Sequence, residues 1–488
     1  MVKTPPERVQ VPWQSVIPKI TTDGTIHKLD FFKKKDENIE LLSGENIELS
    51  TDESFLVKDD NVLIKVDSFD YECIRDATAE SLSKMQSYKI TRLNVSDYKA
   101  PFENFKDAVA DGLILSQFKY DHFKKKEKPD PSYISLIDHD YFRPIAQNIA
   151  RFLTVTPANL MTPTKFAQNV EEIIKHFDLP IKYECYDEKQ CHDLKMNLFL
   201  SVGQGSVEEC KFLILSYHGR NQDQDDQKRV KTEKFQSSYD FANGCSPSDK
   251  TEYDLILVGK GVTFDSGGLS LKPPKSQIDM KGDMMGASTV FSTILTVAKE
   301  KVPMNLKVFM PLTENLPSGC ATKPSDVYVG RKGISVEINN TDAEGRLILA
   351  DALSCAEDFN AKCILSCATL TGAVIIALGN LFYGIYSTDD EIYNKIEKSG
   401  VRVADKGWRM PLDKKYVKLL ESDVADLSNV AYVAGSVTAA VFLKEFVTKY
   451  PYVHLDIAGM LETKDPWGKK FCCRPVAMLF EFCKSLSE

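Results

Sequence analysis

Short apolar runs alternate with longer amphipathic stretches along the second half of the chain. The runs have the length and continuous apolar character of buried strands, and the stretches between them have the apolar spacing of helices. This alternation predicts an α/β fold, with a mostly parallel sheet flanked by helices and a site at the carboxyl ends of its strands. The apolar runs are 255–259, 306–311, 363–370 and 452–457, and the helical stretches are about 284–299 and 346–359.

The first 150 residues predict a smaller α/β domain of their own. Residues 61–66 resemble a strand, and residues 77–85 and 105–118 show helical spacing. Farther along, Thr162-Pro163 predicts a helix start, because threonine caps a helix and proline fits its first turn. We therefore expect three parts, which are an N-terminal α/β domain over 1–150, a connecting helical segment over 151–175 and a larger C-terminal domain over 176–488.

Two segments do not follow the alternating pattern. Residues 363–388 carry no charge and are long enough to cross a bilayer. Their glycine, serine and threonine residues instead favour a buried strand, a turn and a short buried helix. Residues 221–252 are polar without periodicity, which predicts a long exposed loop inserted between two strands, of unknown purpose.

Composition and charge exclude several classes of protein. The 488 residues are 43% hydrophobic and 27% charged, as in ordinary globular proteins. The net charge of −9 disfavours nucleic-acid binding, which depends on contacts between basic side chains and phosphates. The 12 cysteines contain no C-x-x-C pair, and the first residues lack an apolar signal core. We expect a cytoplasmic protein without a membrane segment, in which the adjacent Cys472 and Cys473 are ordinary buried thiols.

Four carboxylates lie just past two of the expected strands, namely Asp265, Asp283, Asp342 and Glu344. If the chain is extended over 342–346, Asp342, Glu344 and Arg346 point to one side. Clustered carboxylates can hold two divalent ions, which polarise a carbonyl group and activate water. Equally, each carboxylate can cap a helix or pair with a lysine, so the spacing alone leaves both hypotheses open.

Other catalytic patterns are missing from the sequence. It contains no phosphate-binding loop, no dinucleotide-binding loop, no H-E-x-x-H zinc helix and no G-x-S-x-G nucleophile turn. His454 stands in a strand-like run, where a core histidine is the expected interpretation. A metal site in this chain must therefore be built from carboxylates.

Three longer motifs carry a family resemblance. They are VGKGVTFDSGGLSLKP at 258–273, MKGDMMGA at 280–287 and NTDAEGRL at 340–347. Together they resemble the signature blocks of the leucyl aminopeptidase family, the M17 cytosolic aminopeptidases, and the similarity extends over about 150–488. The resemblance implies a catalytic metallopeptidase domain over 176–488. It also implies hydrolysis of N-terminal residues, preferably leucine and other bulky apolar ones, by a hydroxide that bridges two metal ions.

The resemblance also implies the metal ligands. One ion would be held by Lys260, Asp265, Asp283 and Glu344, and a more exchangeable one by Asp265, Asp342 and Glu344. The two divalent ions would be drawn from zinc, manganese, magnesium and cobalt. Lys260 can ligate only as a neutral amine, so two neighbouring cations must depress its pKa. Without metal, Lys260 would simply pair with Asp265.

The remaining roles follow from the same resemblance. Lys272 would stay charged and stabilise the oxyanion, and Arg346 would hold a bicarbonate ion that acts as general base. Asp283 would bind the free α-amine of the substrate. The implied substrate-binding residues are Lys272, Met280, Asp283, Asn340, Thr369, Leu370, Gly372 and Ala458, with Leu461 as a further candidate.

The expected partners are peptides with a free N-terminus, in peptide catabolism, and further copies of the chain in a homohexamer. Three alternatives stay open. A non-catalytic structural or interaction protein is disfavoured by the intact ligand set, and a nucleic-acid-binding regulator by the acidic composition. A two-metal phosphoesterase would fit the carboxylates alone.

Overall fold

The structure is a computed structural model that describes residues 11–17, 25–35, 38–41, 54–58, 61–95, 100–125, 133–136, 141–220 and 249–487. Its mixed α/β architecture confirms the predicted fold class, with a smaller N-terminal domain and a larger domain built on a mostly parallel sheet. The boundaries at residues 150 and 175 stay predictions. Most of the polar segment 221–252 lies outside the described residues.

In its described residues, the N-terminal domain contains a mixed sheet and three α-helices. Its strands are β1 (Ile26–Lys35), β2 (Asn38–Leu41), β3 (Phe55–Lys58), β4 (Asn61–Lys65), β5 (Arg92–Asn94) and β6 (Ser135–Leu136). Its helices are α1 (Tyr71–Glu80), α2 (Leu82–Ser87) and α3 (Phe105–Ser116). The strand order is β3-β4-β1-β5-β6, with β2 added to β1 as an antiparallel neighbour. The helix expected over 77–85 is divided between α1 and α2 at Ser81.

Two helices join the domains, α4 (Phe142–Val155) and α5 (Pro163–His176). The Thr162 hydroxyl accepts a hydrogen bond from the Lys165 amide, and Pro163 is the first residue of α5. Threonine satisfies a free amide at this helix end, and proline has no amide to leave unpaired. The helix start predicted at Thr162-Pro163 is therefore correct.

The larger domain is organised around a nine-stranded sheet with the order β18-β17-β20-β16-β10-β12-β8-β7, in which β11 also pairs with β12. The strands of this half of the chain are β7 (Ile181–Tyr186), β8 (Lys211–His218), β9 (Glu252–Tyr253), β10 (Leu255–Gly259), β11 (Gly261–Asp265), β12 (Asn305–Asn315), β13 (Val327–Val329), β14 (Ser335–Glu337), β15 (Asn360–Ala361), β16 (Ile364–Ala368), β17 (Tyr383–Ser387), β18 (Gly407–Arg409), β19 (Leu427–Ser428), β20 (Tyr452–Asp456), β21 (Glu462–Asp465) and β22 (Gly468–Lys470). The central neighbours β12, β10, β16 and β20 are parallel, and antiparallel pairs flank them.

Helices cover both faces of this sheet. They are α6 (Glu188–Asp193), α7 (Asn197–Gly203), α8 (Pro274–Gln277), α9 (Met285–Lys299), α10 (Gly345–Ala356), α11 (Gly372–Leu378), α12 (Asp390–Arg402), α13 (Gly435–Glu445) and α14 (Val476–Ser487). Along β10, Leu255 and Leu257 belong to the same apolar cluster as α9, whereas Ile256 and Val258 belong to the cluster of α10. Successive side chains of a strand point to opposite faces, so a continuous apolar run builds two cores at once.

The uncharged segment 363–388 folds as the buried strand β16, a turn, the helix α11 and the strand β17. The expectation of a buried helix is wrong, because Val374 is the one buried residue of α11 and Ile376 is 90% exposed. Within the described part of the chain, no helix is both long enough and apolar enough to cross a membrane. His454 is fully buried in β20, and its Nδ1 lies 2.8 Å from the Ser366 hydroxyl. Cys472 and Cys473 are fully buried as well.

Candidate active site

The carboxyl ends of the central strands bring together most of the charged residues that the sequence singles out. Lys260 directly follows β10, Asp265 ends β11, and Asp283 follows the short 3-10 turn at 280–282. Glu344 directly precedes α10. One carboxylate oxygen from each of Asp265, Asp342 and Glu344 lies within 4.8 Å of the other two. The parallel strands therefore converge on one acidic cluster at the edge where α/β sheets bind ligands.

Lys260 lies inside this cluster with its side chain fully buried. Its Nζ is 2.7 Å from Asp283 Oδ2 and 2.8 Å from Glu344 Oε1, and it donates a hydrogen bond to the Thr369 carbonyl at 3.0 Å. Burial lowers the pKa of Lys260, but the charges of Asp283, Glu344 and Asp265 more than compensate and raise it above the usual lysine range. Lys260 pairs with Asp283 and Glu344, rather than with the Asp265 that the simple ion-pair interpretation named.

Lys272 approaches the cluster from the opposite side. Its Nζ lies 2.9 Å from Asp265 Oδ2 and 2.5 Å from Asp342 Oδ1. Although burial opposes protonation, these carboxylates raise the pKa of Lys272, so the side chain is a cation.

The cluster holds more negative charge than its lysines neutralise. Burial and the charge of Glu344 raise the pKa of Asp265 to about 6, and burial raises the pKa of Asp283 well above its ordinary value. The buried oxygens Asp283 Oδ2, Asp342 Oδ1 and Glu344 Oε1 accept no well-aligned hydrogen bond from the described residues and are compensated only by the nearby ammonium groups. Four carboxylates against two ammonium groups leave an excess of negative charge, which divalent cations would balance. The donor set therefore fits metal ions.

The extended conformation considered for residues 342–346 is wrong. Residues 341 and 342 form a turn, Glu344 has helical backbone angles (φ −80°, ψ −35°), and α10 starts at the next residue. The Asn340 side chain accepts a hydrogen bond from the Asp342 amide at 2.8 Å, and this contact closes the turn. The turn nevertheless delivers Asp342 and Glu344 to the same cluster.

Arg346 is buried one residue into α10. Its Nη1 donates to the Asn429 carbonyl at 2.8 Å, and its Nε is buried without a hydrogen-bond partner among the described residues. Burial lowers the pKa of Arg346 to about 10, although Glu344 and Asp456 act in the opposite direction. An unpaired buried guanidinium N–H is a donor suited to an anion.

The expected substrate-binding residues lie around the same strand ends. Thr369 follows β16, and its hydroxyl donates to Asp283 Oδ1 at 2.8 Å. Gly372 is exposed at the start of α11, and Ala458 is buried just after β20. The turn that carries Met280 packs against Leu461, because a Cβ on Gly282 would lie 2.8 Å from the Leu461 side chain.

Asp456 organises this region, although it is not among the residues predicted from the sequence. It is fully buried at the end of β20, and its Oδ1 accepts amide hydrogen bonds from Leu370, Thr371 and Ala458. The Thr371 hydroxyl donates to its Oδ2 at 2.7 Å. Burial raises the pKa of Asp456 to about 6. Its place at the end of an apolar, strand-like run is the signal that could have identified it.

Three further residues support the cluster. The Asn315 amide donates to Asp265 Oδ1 at 2.8 Å and to the Thr341 carbonyl at 3.0 Å. Gly345 leaves room for Lys260, because a Cβ at this position would lie 2.7 Å from Lys260 Nζ. Asn429 contacts the turn that precedes Glu344. Asn315 ends a strand, which is a usable signal, whereas nothing local in the sequence marks Asn429.

Comparison with known proteins identifies the family to which the chain belongs. Residues 148–231 and 243–480 match the family described as "Cytosol aminopeptidase family, catalytic domain". The chain belongs to this family. The resemblance read from the three motifs is therefore confirmed, and membership in the cytosol aminopeptidase family supports an activity as a peptidase hydrolase.

Individual relatives agree with this assignment. The cytosol aminopeptidase of Encephalitozoon cuniculi is 39% identical over 445 residues, which are 88% of this chain and 83% of the relative. The cytosol aminopeptidase of Homo sapiens is 37% identical over 430 residues, which cover 86% of this chain and 77% of the relative.

Solved structures of related proteins have the same architecture. The cytosol aminopeptidase from Coxiella burnetii superposes with a TM-score of 0.70 at 25% identity, covering 87% of this chain and 86% of that one. The bottromycin maturation enzyme BotP in complex with Mn superposes with a TM-score of 0.78 at 25% identity, covering 95% of this chain and 99% of that one. A relative of this fold thus binds manganese.

Proposed function

We propose that this member of the cytosol aminopeptidase family is a leucyl-type aminopeptidase that works with two divalent metal ions. The observation that carries the proposal is the convergence of four carboxylates, three of them buried and that of Asp342 half-buried, and two lysines at the carboxyl ends of the central strands. Structural ion pairs usually balance their charges, whereas this cluster is left negative. A dinuclear metal site gives that excess charge a function.

Five residues would hold the ions. Lys260, Asp265, Asp283 and Glu344 would ligate one, and Asp265, Asp342 and Glu344 the more exchangeable one. When bound, divalent ions polarise a carbonyl group and lower the pKa of a bound water to near neutrality. Lys260 fits this set only as a neutral amine, which requires cations to displace its proton. We propose zinc, manganese, magnesium or cobalt as the ions.

The chain's own residues would bind and orient the peptide. Asp283, held by the Thr369 hydroxyl, would accept hydrogen bonds from the free α-amine, which explains a requirement for an N-terminus. The Lys272 ammonium, kept protonated by Asp265 and Asp342, would stabilise the negative charge that develops on the scissile carbonyl oxygen.

Arg346 would hold the general base. Family resemblance assigns it a bicarbonate ion as general base, and its buried, unpaired Nε supports an anion there. No histidine lies among the proposed site residues, and the buried carboxylates are already committed to the ions or to the amine. An external base at Arg346 therefore completes the set.

An apolar pocket would select the first side chain. Family resemblance places Met280, Asn340, Thr369, Leu370, Gly372 and Ala458 around the substrate, with Leu461 beside Met280. Leucine and other bulky apolar residues would suit such a pocket, although apolar pockets separate near-isosteres by only about 1–3 kcal/mol. We further propose a cytoplasmic homohexamer that acts in peptide catabolism, with domain boundaries near residues 150 and 175.

Hydrolysis of a leucine amide reporter tests this proposal. The protein is stripped with chelator, zinc or manganese is added back, and an N-acetylated reporter serves as the blocked substrate. We expect activity that returns with metal, ignores the blocked reporter and is absent from Asp342→Ala. A folded, metal-loaded protein without activity would contradict the proposal and favour a structural or interaction role. Hydrolysis of a phosphate ester instead would favour a phosphoesterase.

A further inference from the structure

Asn429 lies at the centre of a hydrogen-bond network beside the acidic cluster. It directly follows β19 and is fully buried. Its side-chain Oδ1 accepts from the Asn339 amide at 2.8 Å and from the Asn340 amide at 3.2 Å. Its Nδ2 donates to the Asn340 carbonyl at 2.7 Å and to the Ala343 carbonyl at 3.3 Å. One side chain therefore satisfies four backbone groups of the turn at 339–343.

Among the described residues, this turn has no strand partner that would otherwise fix it. It begins two residues after β14 and ends before Glu344, so it leaves the sheet and enters α10 within a few residues. Two of the five proposed ligands depend on its path, because Asp342 lies within it and Glu344 directly follows it. The Asn429 side chain makes the hydrogen bonds to the turn that a neighbouring strand would otherwise make.

The main chain of Asn429 ties the same position to two further points. Its carbonyl accepts from Arg346 Nη1 at 2.8 Å, and its amide donates to the Glu337 carbonyl at 2.9 Å. The bond to Glu337 anchors residue 429 to β14. The bond to Arg346 sets the guanidinium that we propose to hold the general base. The turn and the guanidinium are thus both hydrogen-bonded to one buried residue.

Only asparagine supplies this set of contacts at this length. Its amide offers two donor hydrogens and two acceptor lone pairs, and all four are used here. Aspartate would place a carboxylate against two carbonyl oxygens, and alanine would remove the side-chain partner of four backbone groups in the turn. Glutamine is one methylene longer, in a site with no exposed surface.

We propose that Asn429 is a positioning residue that pre-forms the turn carrying Asp342, so that the more exchangeable metal ion meets an already ordered ligand. This inference rests on the proposed dinuclear function. Groups that orient metal ligands from behind typically contribute about 10–100-fold in metal affinity or activity.

Two variants and a control test it. Asn429→Ala removes the side-chain contacts, and Asn429→Asp keeps the shape but loses the donors. Asn148→Ala is the matched control, because Asn148 is also buried, and its side chain bridges the Ile114 carbonyl and Arg151, in α3 and α4, instead of the turn at 339–343. Binding of Mn²⁺ to stripped protein is measured by calorimetry, together with thermal unfolding and kcat for a leucine amide.

We expect both Asn429 variants to bind the second Mn²⁺ about 10–100-fold more weakly and to recover most of their kcat in excess Mn²⁺. The control should lose stability without any change in Mn²⁺ affinity. Wild-type affinity in a folded Asn429→Ala would overturn the role of Asn429. Failure of the wild-type protein to bind two Mn²⁺ ions would instead contradict the proposed function itself.

Hydrogen exchange of the wild-type protein tests whether the turn is ordered before metal binds, even if neither variant folds. The amides of Asn339, Asn340 and Asp342 are all hydrogen-bonded to side chains. Peptides covering 339–343 should therefore be protected in chelator-treated protein and change little when Mn²⁺ is added. Protection that appears only with Mn²⁺ would show that the metal orders the turn, and would overturn the proposal.

Discussion

Replacement of Gly345 by alanine should damage activity far more than stability. A Cβ at this position would lie 2.7 Å from both Cε and Nζ of Lys260 and 2.8 Å from its Cδ. Non-bonded carbon atoms pack at about 3.5–4.0 Å, so the end of Lys260 must move by about 1 Å. That ammonium group is held at 2.7 Å from Asp283 and 2.8 Å from Glu344, and both contacts would be disturbed.

The two effects on Gly345→Ala differ in size. Overpacking costs about 1–3 kcal/mol, and alanine recovers up to about 1 kcal/mol over glycine within a helix. The free energy of unfolding should therefore fall by no more than about 3 kcal/mol. A displacement of about 1 Å in a reacting group costs about 100-fold in rate, so kcat should fall by about that factor.

The assay compares kcat for a leucine amide with urea unfolding in wild type, Gly345→Ala and Gly319→Ala. Gly319 is the matched control, because a Cβ there meets no atom within 4 Å. We expect wild-type kcat in the control. A kcat within threefold of wild type in Gly345→Ala would refute the reasoning that Lys260 is fixed in position by the absence of a side chain at residue 345.

Three further substitutions test other parts of the account. Thr369→Val removes the hydrogen bond from the Thr369 hydroxyl to Asp283, and a hydrogen bond to a charged group is worth about 1.5–3 kcal/mol. The kcat/KM for a leucine amide should therefore fall about 10–100-fold, and an unchanged value would contradict the role of Thr369 in holding Asp283. Lys272→Gln should lower kcat about 10²–10³-fold, whereas a change confined to KM would contradict oxyanion stabilisation. Burial raises the pKa of Asp351 to about 7 from 3.8, so its contribution to stability is complete below pH 4 and is lost as the pH rises through 7. Between pH 5 and 8, the free energy of unfolding of wild type should therefore fall by about 2–3 kcal/mol more than that of Asp351→Asn. Parallel pH profiles of the two free energies, measured by urea unfolding, would contradict this.

The main sheet was predictable because its signals are local. The run at 255–259 is apolar at every position, so it reads as a strand buried on both faces whatever its neighbours are. The start of α5 follows from a cap and a proline that lie side by side. The acidic residues at strand ends follow from the same logic, because parallel strands place their carboxyl ends together.

The path of residues 339–346 could not be predicted in this way. Alternating Asp342, Glu344 and Arg346 fit an extended strand, but the turn is held in part by Asn429, nearly ninety residues farther along the chain. Periodicity describes only neighbours in sequence, so a contact at that distance leaves no trace in it. The same holds for Gly345, the first residue of α10. It leaves room for Lys260, which follows β10, and nothing near Gly345 in the sequence indicates that contact.

The central claim is that the acidic cluster holds two metal ions side by side. Titration of the stripped protein with Mn²⁺, followed by electron paramagnetic resonance, tests it most directly. We expect two ions per chain, about 3.5–4 Å apart and therefore spin-coupled, and a single uncoupled ion in Asp342→Ala. One ion per wild-type chain, with the six-line spectrum of isolated Mn²⁺, would contradict the account.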